Sequence, residues 1–530
     1  MSVEVEPGRS RLAKESQTPA ALNYSLPPSD GMFIYERRQT SFASPQGTYT
    51  PGNVITIDVT GTEGLRGGDS YFRFNFRTND VVIAPNTPAF HTRAMGPIGY
   101  HIFKQAKLEI NGTEVENITD VGYLAQIMTD STSSQSFRSG NLAYSGYSDY
   151  YDINLQTFNT NYYRGGAATI PDGTYFGGNG KNAAPSDAGL AGPPVVYGAP
   201  YVYGTNSMVG DVVYNRVSTT IEGKNDGTVF TAARNTTSSD ARSANDLVNG
   251  AYKTIVVDAH KLFGLFRQEL MIPLKLISTM RIQLTLASAS ECLIKSRTTT
   301  DGNALGGGNA APDPTYFIKD FEFIADLTKY TSDIEMRMEN SLGNKPIEIS
   351  FDTWTVNNAR PIDVGGETTV TVNKNANNLK SVVTVFRNSL HINANNANSY
   401  ASSPFLPPLN EGEQDDFISY QYRIGSVTVP DRPIRGVAEA YVQMKKAWGS
   451  YCDCRAESIP FKEFKVRAFQ AAIDLEKDDT SFNTGLTVQG GNSVSLIVDR
   501  KLAVPFVPTL MLHYSRILRI KADKLINVLE

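Results

Sequence analysis

Between Tyr71 and Arg77 the chain reads Tyr-Phe-Arg-Phe-Asn-Phe-Arg, so Phe72, Phe74 and Phe76 fall on one side of an extended backbone and Arg73, Asn75 and Arg77 on the other. A repeat of two sets a strand between a core and water, and a helix of the same sequence would leave half its phenylalanines exposed. The period recurs at Val54 to Val59, at Ala106, Leu108 and Ile110, at Ile282, Leu284 and Leu286, and at Phe321, Phe323, Ala325 and Leu327. It returns at Ile347, Ile349 and Phe351, through Thr368 to Val372 and Ser381 to Phe386, and near the end at Val494 to Val498 and Leu510 to Ile520. The expected fold class is all-β. The 26 Tyr and 25 Phe, set against 2 Trp, suit strands as well. At 530 residues the chain exceeds one typical domain.

Two stretches share a more elaborate plan. Phe417 to Ile424 reads as a strand that turns at Gly425 and extends through Val427 and Val429. It is expected to break at Pro430-Asp431-Arg432-Pro433 and to continue as a helix from Pro433 to Trp448, ended by Gly449. The stripe Val437, Ala440, Tyr441, Met444 and Trp448 is read as packing. Earlier, His101 to Met128 offers a strand, a tight Asn111-Gly112 turn and a helix through Val121, Leu124, Ala125 and Met128. The chain therefore reads as two copies of one β-fold, each with a helix on its flank. About eight strands per copy, joined as two Greek keys, make two consecutive jelly-roll barrels with long surface loops.

The expected division is an N-terminal arm over 1–50, a first jelly roll over 51–328, a helical connector over 329–345 and a second jelly roll over 346–530. The connector rests on the capping box Ser332-Asp333-Ile334-Glu335 and on Ile334, Met338 and Leu342 at helical spacing. From 159 to 250 Gly, Ala, Asn, Ser, Pro and Tyr dominate, which marks a surface insertion in the first barrel, with room for a few small strands. A short echo relates Ile272-Pro273, Leu274, Leu276, Arg281 and Ile282 to Val507-Pro508, Leu510, Leu512, Arg516 and Ile517.

Chemistry is sparse. His91, His101, His260, His391 and His513 show no metal-ligand spacing, and His513, in an apolar strand, reads as a hydrogen-bonded core residue. Cys292, Cys452 and Cys454 form no disulfide framework, and Cys452-Asp453-Cys454 is too short a spacing for zinc. Asp415-Asp416 and Asp478-Asp479 read as solvated turn acids. No nucleophile elbow, Walker-type loop or dinucleotide fingerprint is present. Catalytic, cofactor-binding and metal residues are accordingly expected to be none, and the chain is not expected to be an enzyme. The net charge of -5 argues against wrapping nucleic acid, and Arg9, Arg11 and Lys14 read as a solvated arm. The first ten residues lack the apolar core of a signal peptide, and no run approaches the roughly 18 apolar residues of a membrane span.

Four stretches carry a family resemblance. Ile102-Phe-Lys-Gln-Ala-Lys-Leu-Glu-Ile-Asn-Gly-Thr-Glu-Val with Tyr123, Phe317-Ile-Lys-Asp-Phe-Glu-Phe-Ile-Ala-Asp, Tyr420-Gln-Tyr-Arg-Ile-Gly-Ser through Pro430, Arg432, Pro433 and Ile434, and Leu510-Met-Leu-His-Tyr-Ser-Arg-Ile-Leu-Arg-Ile follow in order. The chain resembles the double jelly-roll major capsid proteins of double-stranded DNA viruses, in the polinton-like virus, virophage and adintovirus branch. The resemblance implies homotrimers that form pseudo-hexameric capsomers and tile an icosahedral virion shell. It also implies neighbouring capsomers, penton and minor capsid proteins as partners, no sequence-specific nucleic acid, an arm facing the capsid interior, and assembly in the host cytoplasm or nucleus. A competing reading is a viral or phage fibre, spike or glycan-binding β-protein using Tyr197, Tyr201 and Tyr203; another is a two-domain carbohydrate-active enzyme.

The compositional break at 159 and 250 generates a prediction. Deleting 160–248 should leave soluble, folded barrels but weaken trimers, read by size exclusion with light scattering; a trimer as stable as the parent would count against an interlocking role for the insertion.

Overall fold

The computed structural model describes the chain from Ile34 to Leu529, leaving out 1–33, 79–91, most of 146–251, 296–314, 389–417 and shorter stretches. The sixteen principal strands divide into two sets of eight. The first set is β1 (Ile34–Ala43), β2 (Val54–Val59), β3 (Gly64–Thr78), β4 (Phe103–Ile110), β5 (Thr113–Thr119), β6 (Lys253–Asp258), β7 (Met280–Leu286) and β8 (Tyr316–Tyr330). The second is β9 (Ile347–Asn358), β10 (Gly366–Asn373), β11 (Ala376–Asn388), β12 (Ile418–Ile424), β13 (Val427–Arg435), β14 (Gln470–Asp474), β15 (Ser493–Arg500) and β16 (Phe506–Ile520). Helix α1 (Val121–Thr132) follows β5, and helix α2 (Gly436–Ala447) follows β13.

The two halves have one topology. The first stacks a sheet of order β1-β8-β3-β6 on a sheet of order β2-β7-β4-β5; the second stacks β9-β16-β11-β14 on β10-β15-β12-β13. Adding eight to each label of the first half gives the second. All the barrel pairings are antiparallel, and each barrel carries the jelly-roll strand order. The sequence expectation of two eight-stranded barrels with flanking helices is met.

Alternation builds both cores. Phe72, Phe74 and Phe76 are fully buried on β3. Phe74 stacks on Phe321 at 5.3 Å between ring centres and meets Phe103 edge-on at 6.0 Å. In the second barrel the buried Tyr420 and Tyr422 donate hydroxyl hydrogen bonds to the carbonyls of Ala472 and Ala471, at 3.1 and 2.8 Å. Large aromatic surface is thus buried without orphaning a polar group. Between β4 and β5 the turn residues Asn111 and Gly112 both have positive φ, 51° and 79°, as a two-residue hairpin of primed type requires. Among the described residues no helix is long and apolar enough to cross a membrane.

Several expectations need correction. The expected arm over 1–50 does not hold from Ile34 onward, because β1 pairs along β8 from Ile34 to Ala43, and Thr48–Tyr49 adds to the same strand. Its sequence hid it: Arg37 binds Asp326 and Arg38 binds Glu63, so charge pairs hold a strand that shows little apolar alternation. The chain does not break at Pro430 to Pro433. It stays extended to Arg435, and α2 starts at Gly436, whose φ is 75°. The register explains this. Tyr420 opposes Ile434 and Tyr422 opposes Val429, so the proline segment bulges out of an edge strand, where a missing N–H costs least. The echo between Ile272-Pro273 and Val507-Pro508 relates unlike places, since Ile272–Pro273 precedes β7 whereas Val507 lies in β16, which holds in the second barrel the place of β8 in the first. Of the connector helix, Ser332 and Met336 are helical and the rest falls outside the described residues. The 159–250 insertion also lies outside them, apart from a two-stranded pair of Asn179–Gly180 with Val195–Val196.

Phe74 touches rings from two neighbouring strands, Phe321 of β8 and Phe103 of β4, and is wholly enclosed. Phe74→Ala should cost about 3–5 kcal/mol, read as a shifted urea midpoint; an unchanged midpoint would remove Phe74 from the core.

Candidate functional site: the junction between the barrels

Polar and charged side chains of both barrels meet where β5 of the first barrel packs against β9 of the second and α1 meets β14. At its centre is Glu116 on β5, with no exposure to solvent. Its carboxylate accepts the backbone N–H groups of Gly264 and Leu265, both at 2.9 Å, and the hydroxyl of Thr353 on β9 at 2.7 Å. Burial pushes the Glu116 carboxyl above its usual range, against the pull of these donors and of the nearby Arg267. Gly264 and Leu265 belong to the first barrel, and Thr353 belongs to the second. One buried carboxylate therefore binds the two barrels through one side chain.

Contacts on either side extend the seam. The Thr119 hydroxyl donates to the Val356 carbonyl at 3.1 Å, and Arg516 of β16 donates to the Val115 carbonyl at 2.7 Å. Asp120 accepts from Asn358 and forms an ion pair with Lys104 at 2.6 Å. Asn111 in the hairpin turn reaches the Lys524 carbonyl at 2.8 Å. On the far side, Gln470 of β14 donates to Ser131 of α1 at 2.8 Å and accepts the Trp448 indole N–H at 3.0 Å. Helix α1 is buried from Val121 through Ser131. A single apolar cluster runs through both barrels.

Gly264 marks how close the approach is. A Cβ there would lie 1.9 Å from the carbonyl oxygen of Asp352 on β9, so only glycine fits. The Asp352 side chain binds Lys380 at 2.9 Å and Ser515 at 2.6 Å. Burial raises its pKa, but these partners outweigh that and hold it below the ordinary carboxylate range.

The histidines have structural neighbours. His513 stacks on Trp354 at 4.4 Å, and Trp354 stacks on Trp448 at 5.2 Å. Burial pushes His513 down to about 4, so the ring is neutral at neutral pH. His101 binds Gln126 and packs against the tilted ring of Tyr123 at 4.7 Å. Burial also lowers His260. Cys292 is buried and free, and burial pushes its thiol up. Of the α2 stripe, Val437, Ala440 and Met444 are buried, while Tyr441 and Trp448 are half-buried. His91, His391, Cys452, Cys454, the paired aspartates, Tyr197, Tyr201, Tyr203, Arg9, Arg11 and Lys14 lie outside the described residues. Among the described residues no group of three or more His, Cys, Asp or Glu is placed to hold a metal ion.

Sequence reasoning passed over Glu116, although a signal was there. Glu116 stands in phase with Ile118 on a strand whose apolar residues point inward, and a charge in that phase asks for a buried partner. Nothing in the sequence marks Gly264, whose role depends on a strand roughly ninety residues away.

Neither a protein-family model nor a curated protein matches this chain. Solved structures do. A chain of the Sputnik virophage covers 94% of this chain and 88% of its own length, with a TM-score of 0.53 and 12% identity. The Faustovirus major capsid protein covers 91% of this chain and 90% of its own length, with a TM-score of 0.51 and 9% identity. At these identities the likeness is one of fold, and it spans both barrels together.

Gly264→Ala should force the barrels apart and destabilise the protein by about 3 kcal/mol or more, since the obstacle is backbone rather than a yielding side chain. Gly47→Ala, where an added Cβ meets nothing within 4 Å, is the control. Thermal melting of the two variants decides it, and equal melting temperatures would contradict the close approach.

Proposed function

We propose that this chain is the major capsid protein of a double-stranded DNA virus, a structural protein that trimerises and tiles an icosahedral shell. The observation that carries the reading is the duplication itself: two barrels of one topology, held side by side by a buried seam. A chain of two like units presents like corners, and three such chains approximate a hexagon, a shape that tiles a surface. Many repeated contacts of modest strength then sum through multivalency. The fold shared with the two viral structures supports the same reading.

In this reading the first unit runs through Tyr330 and the second starts at Ile347, with a short connector between them. Residues 1–33 serve as an arm toward the particle interior, and the 159–250 insertion projects from the outer surface. Penton and minor capsid proteins are the further partners, and the protein resides in the virion. The work of the chain is assembly rather than turnover.

Electron microscopy of the purified protein tests this. The expected particles are trimers of hexagonal outline, or closed shells at higher concentration. Elongated projections, or a monomer at every concentration, would overturn the reading.

A further inference from the structure

We infer that Arg77 and Lys319, gathered around the ring of Tyr252 on the solvent face of the first barrel, bind the sulfate or carboxylate groups of an acidic glycan. Placing that glycan outside the particle rests on the capsomer reading above; the oxyanion site itself does not.

The sheet β1-β8-β3-β6 has two faces. Phe72, Phe74 and Phe76 of β3 point into the core, so Arg73, Asn75 and Arg77 point out of it. The ladders set neighbours beside them. On β8, Phe317 stands opposite Arg77, Lys319 opposite Asn75 and Glu322 opposite Arg73; on β6, Thr254 stands opposite Asn75. Tyr252 comes just before β6 and lies against Arg77. The rim of the sheet is close by, since the ladder of β3 with β8 ends at Thr78 and Tyr316.

Two of the three cations on this face lack a counter-charge. Arg73 pairs with Glu322 at 3.7 Å. The Arg77 guanidinium lies over the Tyr252 ring at 4.8 Å and over the Phe317 ring at 5.0 Å, and its Nε, shut away from solvent, has no hydrogen-bond partner. Among the described residues Lys319 makes no hydrogen bond or ion pair; its ammonium lies 5.5 Å from the centre of the same Tyr252 ring. The one acid beside Lys319 in the strand, Asp320, accepts a hydrogen bond from Asn75 at 3.0 Å, and Asn75 accepts one from Thr254 at 2.8 Å. Asp320 forms no ion pair with either cation among the described residues.

This arrangement suits an incoming oxyanion. A ring face attracts and orients a cation without neutralising it. Two like charges around one ring repel, and an oxyanion between them removes the repulsion and accepts charge-assisted hydrogen bonds from both. A guanidinium held flat between rings is already posed for bidentate binding of such a group. Tyr252, 41% exposed, adds an apolar face for the body of a sugar. The second barrel lacks the arrangement: one step in from the same rim, Arg387 of β11 stands opposite Val507 of β16, so no ring faces it across the ladder. The cluster therefore belongs to one barrel and is not a consequence of the fold.

Position chooses among polyanions. The 159–250 insertion joins the barrel directly ahead of Tyr252. The capsomer reading sends that insertion outward, away from a packaged genome, which favours an acidic cell-surface glycan over nucleic acid. One site binds such a polymer weakly, and a shell repeats the site many times.

The test is calorimetric titration of the purified full chain with a heparin oligosaccharide, at low and at physiological salt. Saturable binding is expected. Lys319→Gln and Arg77→Gln should each weaken it roughly tenfold, the worth of a charge-assisted hydrogen bond. Asp320→Asn should tighten it by removing an acid from beside the site. Arg73→Gln, which removes a cation of the same face that is already paired, should leave it within about twofold. Lys319 and Asp320 are exposed, so melting of these two variants should match the parent, and changes in their binding report on the site alone. Inorganic sulfate should bind more weakly than the glycan, and neutral dextran should not bind. Equal affinity for sulfate, or tighter binding of a single-stranded oligonucleotide, would overturn the glycan as ligand. A parent chain that does not bind heparin, or Lys319→Gln and Asp320→Asn chains that bind like the parent, would overturn the site and leave the capsomer reading standing. Lys319-dependent binding by a chain that never forms trimers would overturn the capsomer reading and leave the oxyanion site standing.

Discussion

Placing Glu116 between two barrels sets a condition that its surroundings must satisfy. Withdrawing a carboxylate from water costs several kcal/mol, and only well-aimed donors offset that. Two backbone N–H groups from one barrel and a hydroxyl from the other supply them. Each hydrogen bond to a charged group is worth about 1.5–3 kcal/mol, so the three together can balance the burial. They do so only when β9 sits against the Gly264–Leu265 turn. The barrels are thereby held at one separation, and the side-chain-free Gly264 lets the backbones come that close. Such a buried polar group fixes an arrangement more than it adds stability.

The architecture was largely legible in the sequence because period-two alternation reports directly on a buried sheet face. Phe72, Phe74 and Phe76 announce β3, and Ile282, Leu284 and Leu286 announce β7. What escaped is equally physical. β1 alternates poorly because Arg37 and Arg38 bind carboxylates where other strands bury methyl groups. Pro430 and Pro433 suggested a break, yet an edge strand with a bulge tolerates both. The Ile272-Pro273 echo was similarity without equivalence. The true correspondence lies at Asp120-Val121 and Gly436-Val437, where a left-handed residue launches a helix from the end of a strand. The seam was hardest to read, since Glu116, Gly264 and Thr353 meet only once both barrels have formed.

Duplication gave the two halves one scaffold and let their surfaces diverge. Helix α1 has become an interior element, buried along its length, while α2 keeps a polar outer face, where its Glu439 pairs with Arg432 of β13 at 2.7 Å. The aromatic stack of Trp448, Trp354 and His513 gives the second barrel a packing solution the first lacks. Phe42, on the end strand β1 of the first barrel, is half-buried. Topology was retained while burial, charge and ring size were reassigned.

The prolines of β13 bear on how such edges behave in a crowd. An outer strand with a full row of free N–H groups invites another strand to zip onto it, and that kind of adhesion is hard to undo. Pro430 and Pro433 delete two of those donors, and the bulge lifts the rest out of line. Whatever approaches this rim must therefore be held by side chains, whose grip is weaker and easily released. A misplaced neighbour can let go and try again, whereas a zipped sheet would make each mistake permanent.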